Sequence, residues 1–272
     1  MTILQAIVLA VVQGLTEFLP ISSTAHLILV PWFFNWQDPG LLYDVALHAG
    51  TLLAVLAYFA RTWWELLLAV LGRPSTRPEA ANSRLLALIV LGTVPGGLAG
   101  YFLESYAETV FRSPTIIASA LIALGVVMWV ADHRPALARN MSELTLSDAL
   151  TIGLAQAVAI IPGTSRSGIT ITAALFRNLT RETAARFSFL LATPIITGAT
   201  LSEALEVWEV GFPPGLTVRD FVVGVVVSAV VGYAAIAFLL RYLEVRTLKI
   251  FVAYRLLLGG IILVVEFLRS SP

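Results

Sequence analysis

Long apolar stretches, each close to the length of a membrane-spanning helix, alternate with short polar segments along the chain. A helix that crosses a bilayer needs about 20 mostly apolar residues. Six stretches meet this requirement, at residues 45–62, 85–103, 114–131, 187–205, 221–240 and 250–265. The pattern therefore predicts six spanning helices. Trp63 and Trp64 follow the first of them, where an interfacial aromatic belt is expected.

Two further apolar regions, residues 1–36 and 149–176, are interrupted by polar residues and helix breakers at residues 13–26 and 162–170. Each break leaves helical arms of about a dozen residues, which at 1.5 Å per residue reach only about halfway through a bilayer. We therefore predict two re-entrant helix–loop–helix hairpins whose tips lie near mid-membrane. Non-helical backbone at that depth is tolerated only when it is buried in protein or lines a cavity.

The order hairpin, span, span, span occurs twice, so the predicted fold is an all-α polytopic membrane protein with an inverted-topology repeat. Three spans per half insert the second half upside down, and inverted repeats place binding sites near the midplane between the halves. We expect one integral membrane domain over residues 1–272, with halves at about 1–131 and 146–268 and a linker at about 132–145.

An internal alignment of the two halves supports the repeat only weakly. A spacing of 142 residues places Pro20 on Pro162 and Ser23 on Ser165. Few other positions are identical, so the repeated order of elements carries more weight than the residues themselves.

Composition agrees with a membrane protein. Of the 272 residues, 58% are hydrophobic and 12% are charged, and the mean hydropathy is +0.88, whereas soluble domains carry about 25% charged residues. The formal net charge is zero, so we expect no nucleic-acid partner. The chain has no cysteine, which excludes disulfides and thiolate catalysis. The N-terminus lacks the features of a signal peptide, and we interpret it as mature sequence.

Basic residues are distributed unequally between the two predicted sides of the membrane. One side carries Arg73, Arg77, Arg84, Arg134, Arg139, Arg177, Arg181, Arg186, Arg241, Arg246 and Lys249. The other side carries Arg112, Arg219 and Arg269. The positive-inside rule makes the first side cytoplasmic and places both termini outside. The first hairpin then opens from the outside and the second from the cytoplasm.

The two breaks carry residue types that bind phosphate. Hydroxyls at residues 22–24 can cap one returning helix, and Ser165 or Ser167 can cap the other. Free backbone N–H groups and the positive dipole ends of both helices would then form an anion site. Arg166 adds a bidentate cation suited to phosphate. Arg255, about one turn inside the last span, can approach from the side or extend to the inner interface.

Other residues in the first break indicate chemistry beyond binding. Glu17 would repel a phosphate, so it suggests a base or a ligand for Mg²⁺ or Ca²⁺, with Gln13 on the same helix face as a second oxygen ligand. Ser23 and His26 are three residues apart, which allows the imidazole to activate the hydroxyl as a nucleophile. Glu17 or His26 could instead activate a water. A purely structural ion pair between Glu17 and Arg166 is the remaining alternative.

Two other polar groups near apolar spans are assigned structural roles. His48, four residues after Asp44, is interpreted as a packing histidine. Arg61 and Glu65 have the spacing of an ion pair on one helix face near the inner interface.

With these residues identified, the sequence resembles the bacterial undecaprenyl-diphosphatases, the bacitracin-resistance phosphatase family, over essentially its whole length. The resemblance is carried by a (Glu/Gln)-x-x-x-Glu motif at residues 13–17, Pro-x-Ser-Ser-Thr-x-His at 20–26, Pro-Gly-x-Ser-Arg-Ser-x-x-Thr at 162–170, Phe-Ser-Phe-Leu-Leu-Ala at 187–192, and Tyr254 with Arg255. Gln13 is an allowed variant of the first motif, and it leaves Glu17 as the only carboxylate there.

The resemblance implies hydrolysis of undecaprenyl diphosphate to the monophosphate and inorganic phosphate, with a divalent cation, Mg²⁺ or Ca²⁺. This reaction recycles the lipid carrier for peptidoglycan synthesis and confers bacitracin resistance. The resemblance also implies a catalytic set of Glu17, Ser23, His26 and Arg166. It further implies contacts to the diphosphate or the metal from Gln13, Ser22, Ser165, Thr170 and Arg255, with Glu17 and Gln13 as the metal ligands.

The implied location is the bacterial inner (plasma) membrane, with the active cavity facing the periplasm or exterior and the lipid tail entering sideways between helices. Membrane lipids are expected partners, and a homodimer is an assembly that the sequence leaves open. A lipid-phosphate flippase or anion transporter is the competing class, because inverted repeats with half-helices are common in secondary transporters. A transporter has no evident use for Ser23 beside His26 and Glu17.

Overall fold

A computed structural model of the chain describes residues 1–72, 83–108, 111, 113–134, 137–210 and 216–270. Eleven α-helices account for most of these residues, and among them β-structure is limited to an isolated bridge between Arg139 and Leu179. The predicted all-α class is confirmed. Three of the loop arginines used to orient the chain, Arg73, Arg77 and Arg112, lie outside the described residues.

The α-helices follow one another as α1 (Ile3–Phe18), α2 (Ser23–Phe34), α3 (Leu41–Tyr58), α4 (Ala60–Val70), α5 (Ser83–Glu108), α6 (Pro114–Asp132), α7 (Leu146–Ala157), α8 (Arg166–Phe176), α9 (Arg181–Val210), α10 (Val218–Val245) and α11 (Lys249–Ser270). Short 3₁₀ turns occur at Met141–Glu143 and Val158–Ile160. The predicted hairpins correspond to α1–α2 and α7–α8.

Five of the helices in the described residues, α5, α6, α9, α10 and α11, are long and apolar enough to cross a membrane. They contain five of the six predicted spans, and the protein is a multi-pass membrane protein. The sixth predicted span, residues 45–62, is broken where α3 and α4 meet at an angle of 71°. The short α4 carries the predicted Arg61–Glu65 ion pair, at 3.2 Å, together with Trp63 and Trp64. Those residue types suit the membrane interface better than its core.

The four hairpin arms are too short to cross the membrane singly. They contain 16, 12, 12 and 11 residues, which corresponds to about 16–24 Å of helix against about 30 Å of hydrocarbon. The arms of each hairpin pack against each other. Both first arms begin with a capping box, formed by Thr2 with Gln5 and by Thr145 with Asp148.

The two halves are interleaved. The first arm of each hairpin packs on the middle span of the opposite half, α1 on α10 and α7 on α5. Both contacts depend on close backbone approach at a glycine. A Cβ at Gly14 would lie 2.7 Å from the Val231 Cβ, and a Cβ at Gly153 would lie 2.1 Å from the Gly92 carbonyl oxygen. Each hairpin is therefore held in place by the other half of the chain.

The base of the second hairpin is fixed by charges. Asp148 at the start of α7 accepts hydrogen bonds from Arg139 at 2.7 Å and from Arg177 at 2.6 Å. Hydrogen bonding to Asp148 raises the pKa of Arg139 above its ordinary value. These bonds join the linker and both arms of the hairpin.

The two hairpin tips share one backbone conformation. Ser22 (φ 77°, ψ 96°) and Ser165 (φ 70°, ψ 114°) both precede the returning helix with a positive φ, which residues other than glycine rarely adopt. Each hydroxyl accepts a hydrogen bond from the N–H three residues later, that of Ala25 at 3.4 Å and that of Gly168 at 3.0 Å. At the tips the repeat spacing is therefore 143 residues rather than the predicted 142, and the counterpart of Ser23 is Arg166.

Candidate active site

The two tips bind directly to each other. The Ser22 hydroxyl accepts a hydrogen bond from the Gly163 N–H at 3.1 Å, and the Ser167 hydroxyl donates to the Leu19 carbonyl at 3.2 Å. These contacts place the first turns of α2 and α8 side by side. The first N–H groups of a helix have no acceptor within the helix, and two positive dipole ends at one place favour an anion.

Arg255 of α11 ties both tips to α6. Its side chain is fully buried. Nη1 donates to the Pro20 carbonyl at 3.2 Å, Nη2 donates to the carbonyls of Gly163 at 2.7 Å and Thr164 at 3.2 Å, and Nε donates to the Leu121 carbonyl at 3.2 Å. The predicted contact between Arg255 and the diphosphate stays a prediction. In this structure its donors are directed at backbone carbonyls of the two tips and of α6.

Glu17, in the last turn of α1, is the centre of the site. It is 7% exposed. Its Oε1 lies 3.3 Å from Arg166 Nη1, and its Oε2 accepts hydrogen bonds from the Ser23 hydroxyl at 2.6 Å and from Gln13 Nε2 at 3.2 Å. The fold thus brings together the predicted carboxylate, hydroxyl, amide and guanidinium from the two hairpins, although Glu17 and Arg166 are 149 positions apart in sequence.

The structure pairs Ser23 with Glu17 rather than with His26. His26 Nδ1 lies 2.6 Å from the Ser22 carbonyl, and Nε2 lies 2.6 Å from the Tyr254 hydroxyl. A carbonyl only accepts, so Nδ1 carries a proton and is a donor. The bond from the ring to the backbone carbonyl four residues earlier turns the imidazole toward Tyr254. The sequence spacing of Ser23 and His26 predicted a different partner for each.

His48 of α3, predicted from the sequence to be a packing residue, belongs to the site. Its Nε2 lies 3.3 Å from Glu17 Oε2, and its Nδ1 lies 2.7 Å from the Asp44 carbonyl. The side chain is 14% exposed. A pattern in the sequence could have found it, because Asp44, His48 and Thr51 have the i, i+4, i+7 spacing of one polar helix face.

The remaining predicted residues lie around Arg166, at the N-cap and in the first two turns of α8. The Ser165 hydroxyl is 3.2 Å from that of Ser167. Thr170 is fully buried, donates to the Arg166 carbonyl at 2.7 Å and contacts the Ser188 hydroxyl. Their predicted contacts to a diphosphate remain predictions, and the geometry shows them supporting the backbone that carries Arg166.

The residues around Glu17 suit a divalent cation that is bound by few protein ligands. Gln13 is fully buried, and its Oε1 has no hydrogen-bond partner among the described residues. Within the described ranges no three His, Asp or Glu side chains are grouped as metal ligands. Mg²⁺ and Ca²⁺ are bound through oxygen, and Mg²⁺ commonly uses one or two carboxylates together with substrate phosphate oxygens. Glu17 supplies one carboxylate for such a site, whereas Gln13 turns its Nε2 toward Glu17, so its Oε1 would reach the same ion only after the amide rotates by half a turn.

The fold and the site together define a polytopic membrane protein in which two half-membrane hairpins present an acid, a hydroxyl and a guanidinium to one point, as phosphate-ester chemistry requires. Comparison with known families then places the chain. Residues 6–261 match the family described as "Bacitracin resistance protein BacA", and the chain belongs to that family.

Relatives in other bacteria are similar over their whole length. A protein of Moorella thermoacetica is 49% identical over 269 residues, which cover 99% of this chain and 100% of that protein. A protein of Pelotomaculum thermopropionicum is 49% identical over 99% of both chains, and one of Thermomicrobium roseum is 48% identical over 99% of this chain and 100% of that protein. All three carry the name undecaprenyl-diphosphatase.

Proposed function

We propose that this protein is a hydrolase that converts undecaprenyl diphosphate to undecaprenyl phosphate and inorganic phosphate. The observation that carries the proposal is Glu17, which lies between the Ser23 hydroxyl at 2.6 Å and the Arg166 guanidinium at 3.3 Å. The full-length relatives named undecaprenyl-diphosphatase support the substrate. The description of the family names bacitracin resistance.

The geometry favours Ser23 as the nucleophile and Glu17 as its base. The Ser23 Oγ would form a bond to the terminal phosphorus while the bridging P–O bond breaks, with undecaprenyl phosphate as the leaving group. The hydroxyl proton passes to the Glu17 carboxylate, to which it is already hydrogen-bonded. Water then attacks the phosphorus, the bond between phosphorus and the Ser23 oxygen breaks, Glu17 returns its proton to that oxygen, and inorganic phosphate is released. Arg166 and the N–H groups at the two helix starts stabilise charge on the transferring phosphoryl group, which is the main source of acceleration in such reactions.

His26 would serve a separate step in this scheme. Its two ring nitrogens bond to the Ser22 carbonyl and the Tyr254 hydroxyl, and neither bonds to Ser23. With Nδ1 protonated, Nε2 is the atom that can exchange a proton. We assign it to moving a proton at the water that cleaves the phosphoserine. A water activated directly by Glu17 or His26, without a covalent intermediate, is the alternative route.

Glu17 and Gln13 would hold a divalent cation, Mg²⁺ or Ca²⁺. When bound, the cation neutralises charge on the diphosphate oxygens as a Lewis acid. Gln13 has a buried carbonyl oxygen without a partner among the described residues, and this feature supports the assignment.

The proposed setting is the bacterial plasma membrane, with both termini outside and the diphosphate entering from the exterior. The prenyl tail would leave the site sideways between helices. An apolar groove of about 420 Å³ between α6, α7 and α8 includes Thr164 of the second tip in its lining, and it offers the tail a contact next to the site. Oligomeric state is not part of the proposed chemistry, and a homodimer remains an expectation for solution measurements.

Release of phosphate by the purified protein in detergent tests the proposed function. We expect release from undecaprenyl diphosphate that stops with a chelator and resumes on addition of a divalent cation. A transporter has no gradient to use in detergent, so binding of the lipid without phosphate release would contradict a hydrolase. The names of the relatives give that transporter alternative no support.

A further inference from the structure

His48 is oriented in the way that a metal-binding histidine is usually oriented. Ligating histidines commonly donate the second ring N–H to a backbone carbonyl, which fixes the tautomer and directs the other nitrogen at the metal. His48 Nδ1 lies 2.7 Å from the Asp44 carbonyl, an acceptor one helical turn earlier on α3. The remaining nitrogen, Nε2, is therefore the atom that faces Glu17.

The spacing of the donor atoms suits a single cation. His48 Nε2 and Glu17 Oε2 are 3.3 Å apart. Bonds from nitrogen or oxygen to a divalent ion such as Zn²⁺ are about 2.0–2.2 Å long, so two atoms at that separation can reach the same ion. Their only other interaction would be an ion pair, which requires a second proton on the imidazole.

Gln13 supplies the independent observation. Its side chain is fully buried, and its Oε1 has no hydrogen-bond partner among the described residues, while Nε2 donates to Glu17 at 3.2 Å. An orphaned buried carbonyl oxygen is costly. Rotation of the amide by half a turn would replace the Nε2 hydrogen bond to Glu17 and direct that oxygen at the same point as His48 Nε2 and Glu17 Oε2, an arrangement of acceptors that is stable only with a cation between them. The Thr51 hydroxyl, 3.5 Å from Gln13 Nε2, can then stay in contact with the amide.

We propose that His48 is a direct nitrogen ligand of the divalent cation, completing a site with Glu17 and Gln13. This inference rests on the proposed function insofar as that function uses a cation at Glu17. Imidazole favours Co²⁺ and Zn²⁺, whereas carboxylates and carbonyls suit Mg²⁺ and Ca²⁺. A site of mixed nitrogen and oxygen donors therefore binds Co²⁺ and Zn²⁺ more tightly than an all-oxygen site would, and Mn²⁺ serves as a spectroscopic probe of its ligands.

Pulsed electron paramagnetic resonance of Mn²⁺ bound to the purified full-length protein tests the proposal directly. The chain has three histidines, at positions 26, 48 and 133, so a nitrogen coupling can be assigned by single substitutions. We expect a coordinated imidazole nitrogen in the unsubstituted protein, its loss in His48→Gln, and its retention in His133→Gln and His26→Gln. His133 is the matched control because it is exposed and bonds to the Trp129 carbonyl of its own helix.

Metal affinity provides the second measurement. In His48→Gln we expect Co²⁺ affinity to fall by about tenfold or more, at the lower end of losses seen when support of a metal site is removed. Ca²⁺ affinity should change by less than about threefold, because calcium relies on oxygen donors.

Each result bears differently on the two proposals. Mn²⁺ bound stoichiometrically in the unsubstituted protein without a coordinated nitrogen would overturn the role of His48 and leave the hydrolase intact. Retention of the nitrogen coupling in His48→Gln would also overturn it. Failure of Mn²⁺ to bind, with chelator-resistant phosphate release, would overturn both His48 ligation and the cation, while phosphate release itself would still support hydrolysis. Because the first of these measurements uses the unsubstituted protein, the test does not depend on folding of a variant.

Discussion

The two hairpin tips share one backbone conformation but carry different functional groups. At Ser22 and Ser165 the chain adopts the same positive-φ conformation, and each serine caps the helix that follows. The next residue is a hydroxyl in the first tip, Ser23, and a guanidinium in the second, Arg166. The first hairpin also carries Glu17 at the end of its first arm, α1, and the Glu17 Oε1 lies 3.3 Å from Arg166 Nη1.

This difference shows how a repeated element becomes an asymmetric site. Two helix starts supply the same general affinity for an anion, because the free N–H groups and the dipole belong to the backbone. The side chain at the first helical position then decides the task of each tip. The first tip supplies the reacting groups, and the second supplies the positive charge.

Removal of the reacting Ser23 hydroxyl should have the largest effect on kcat. Removal of a hydroxyl from the second tip should not have a comparable effect. We expect Ser23→Ala to lower kcat on the order of 10³-fold or more, as removal of a serine nucleophile does elsewhere, measured by phosphate release. Ser167→Ala is the control on the second tip, where the hydroxyl bonds to the Leu19 carbonyl, and it should change kcat by less than about tenfold. Near-native turnover of Ser23→Ala would show that an activated water attacks the phosphorus.

The positive charge of the second tip gives the next largest effect. Arg166→Met should reduce kcat/KM by about 10²–10³-fold, the usual result of removing one group that stabilises transition-state charge. Arg166→Lys keeps the charge and loses the planar fork. Its kcat/KM should therefore lie between that of the unsubstituted protein and that of Arg166→Met. If Arg166→Lys and Arg166→Met lost kcat/KM equally, a positive charge at this position would not be sufficient for activity.

Arg255 joins the two tips, and its substitution should weaken both. Arg255→Met would leave carbonyls of Pro20, Gly163 and Thr164 without their buried donor, at a cost of about 1–3 kcal/mol in the free energy of unfolding. The tryptophan fluorescence of the protein in detergent can follow the denaturation midpoint. An unchanged midpoint would indicate that the tips hold together without this residue.

We expect the smallest effects from substitutions that test the backbone conformation shared by the two tips. Both variants lose the hydroxyl cap, and alanine disfavours the positive φ that glycine adopts freely, so Ser22→Ala and Ser165→Ala should each be less stable than the corresponding glycine variant, by about 1 kcal/mol. Denaturation midpoints of the four variants measure this difference. If alanine and glycine were equivalent at one tip only, the two tips would not share the conformation described here.

The sequence predicts much of the architecture and only part of the site. Apolar segments of spanning length and two interrupted ones were sufficient for the hairpins, because the cost of placing polar groups in hydrocarbon leaves few alternatives. Glu17, Ser23 and Arg166 were found because they stand inside the breaks. The bend between α3 and α4 was missed because apolar content alone does not distinguish a crossing helix from an interfacial one.

Contacts between distant segments were harder to predict. His48 stands in an apolar span, and its proximity to Glu17 arises only when α3 packs beside α1. Likewise, the partners of Arg255 are backbone carbonyls of both tips, which carry no mark in the sequence. The pairing of Ser23 with Glu17 instead of His26 depends on side-chain directions at a turn, and spacing along a helix does not fix them.

A double-mutant cycle of Glu17→Gln and Arg166→Lys, followed by phosphate release from undecaprenyl diphosphate, tests most directly whether the two tips form one site. Residues that act together on one group lose activity non-additively. We predict that the double variant is no more than about tenfold less active than the worse single variant. If the two losses multiply instead, Glu17 and Arg166 act independently, and the account of a shared site between the hairpins is wrong.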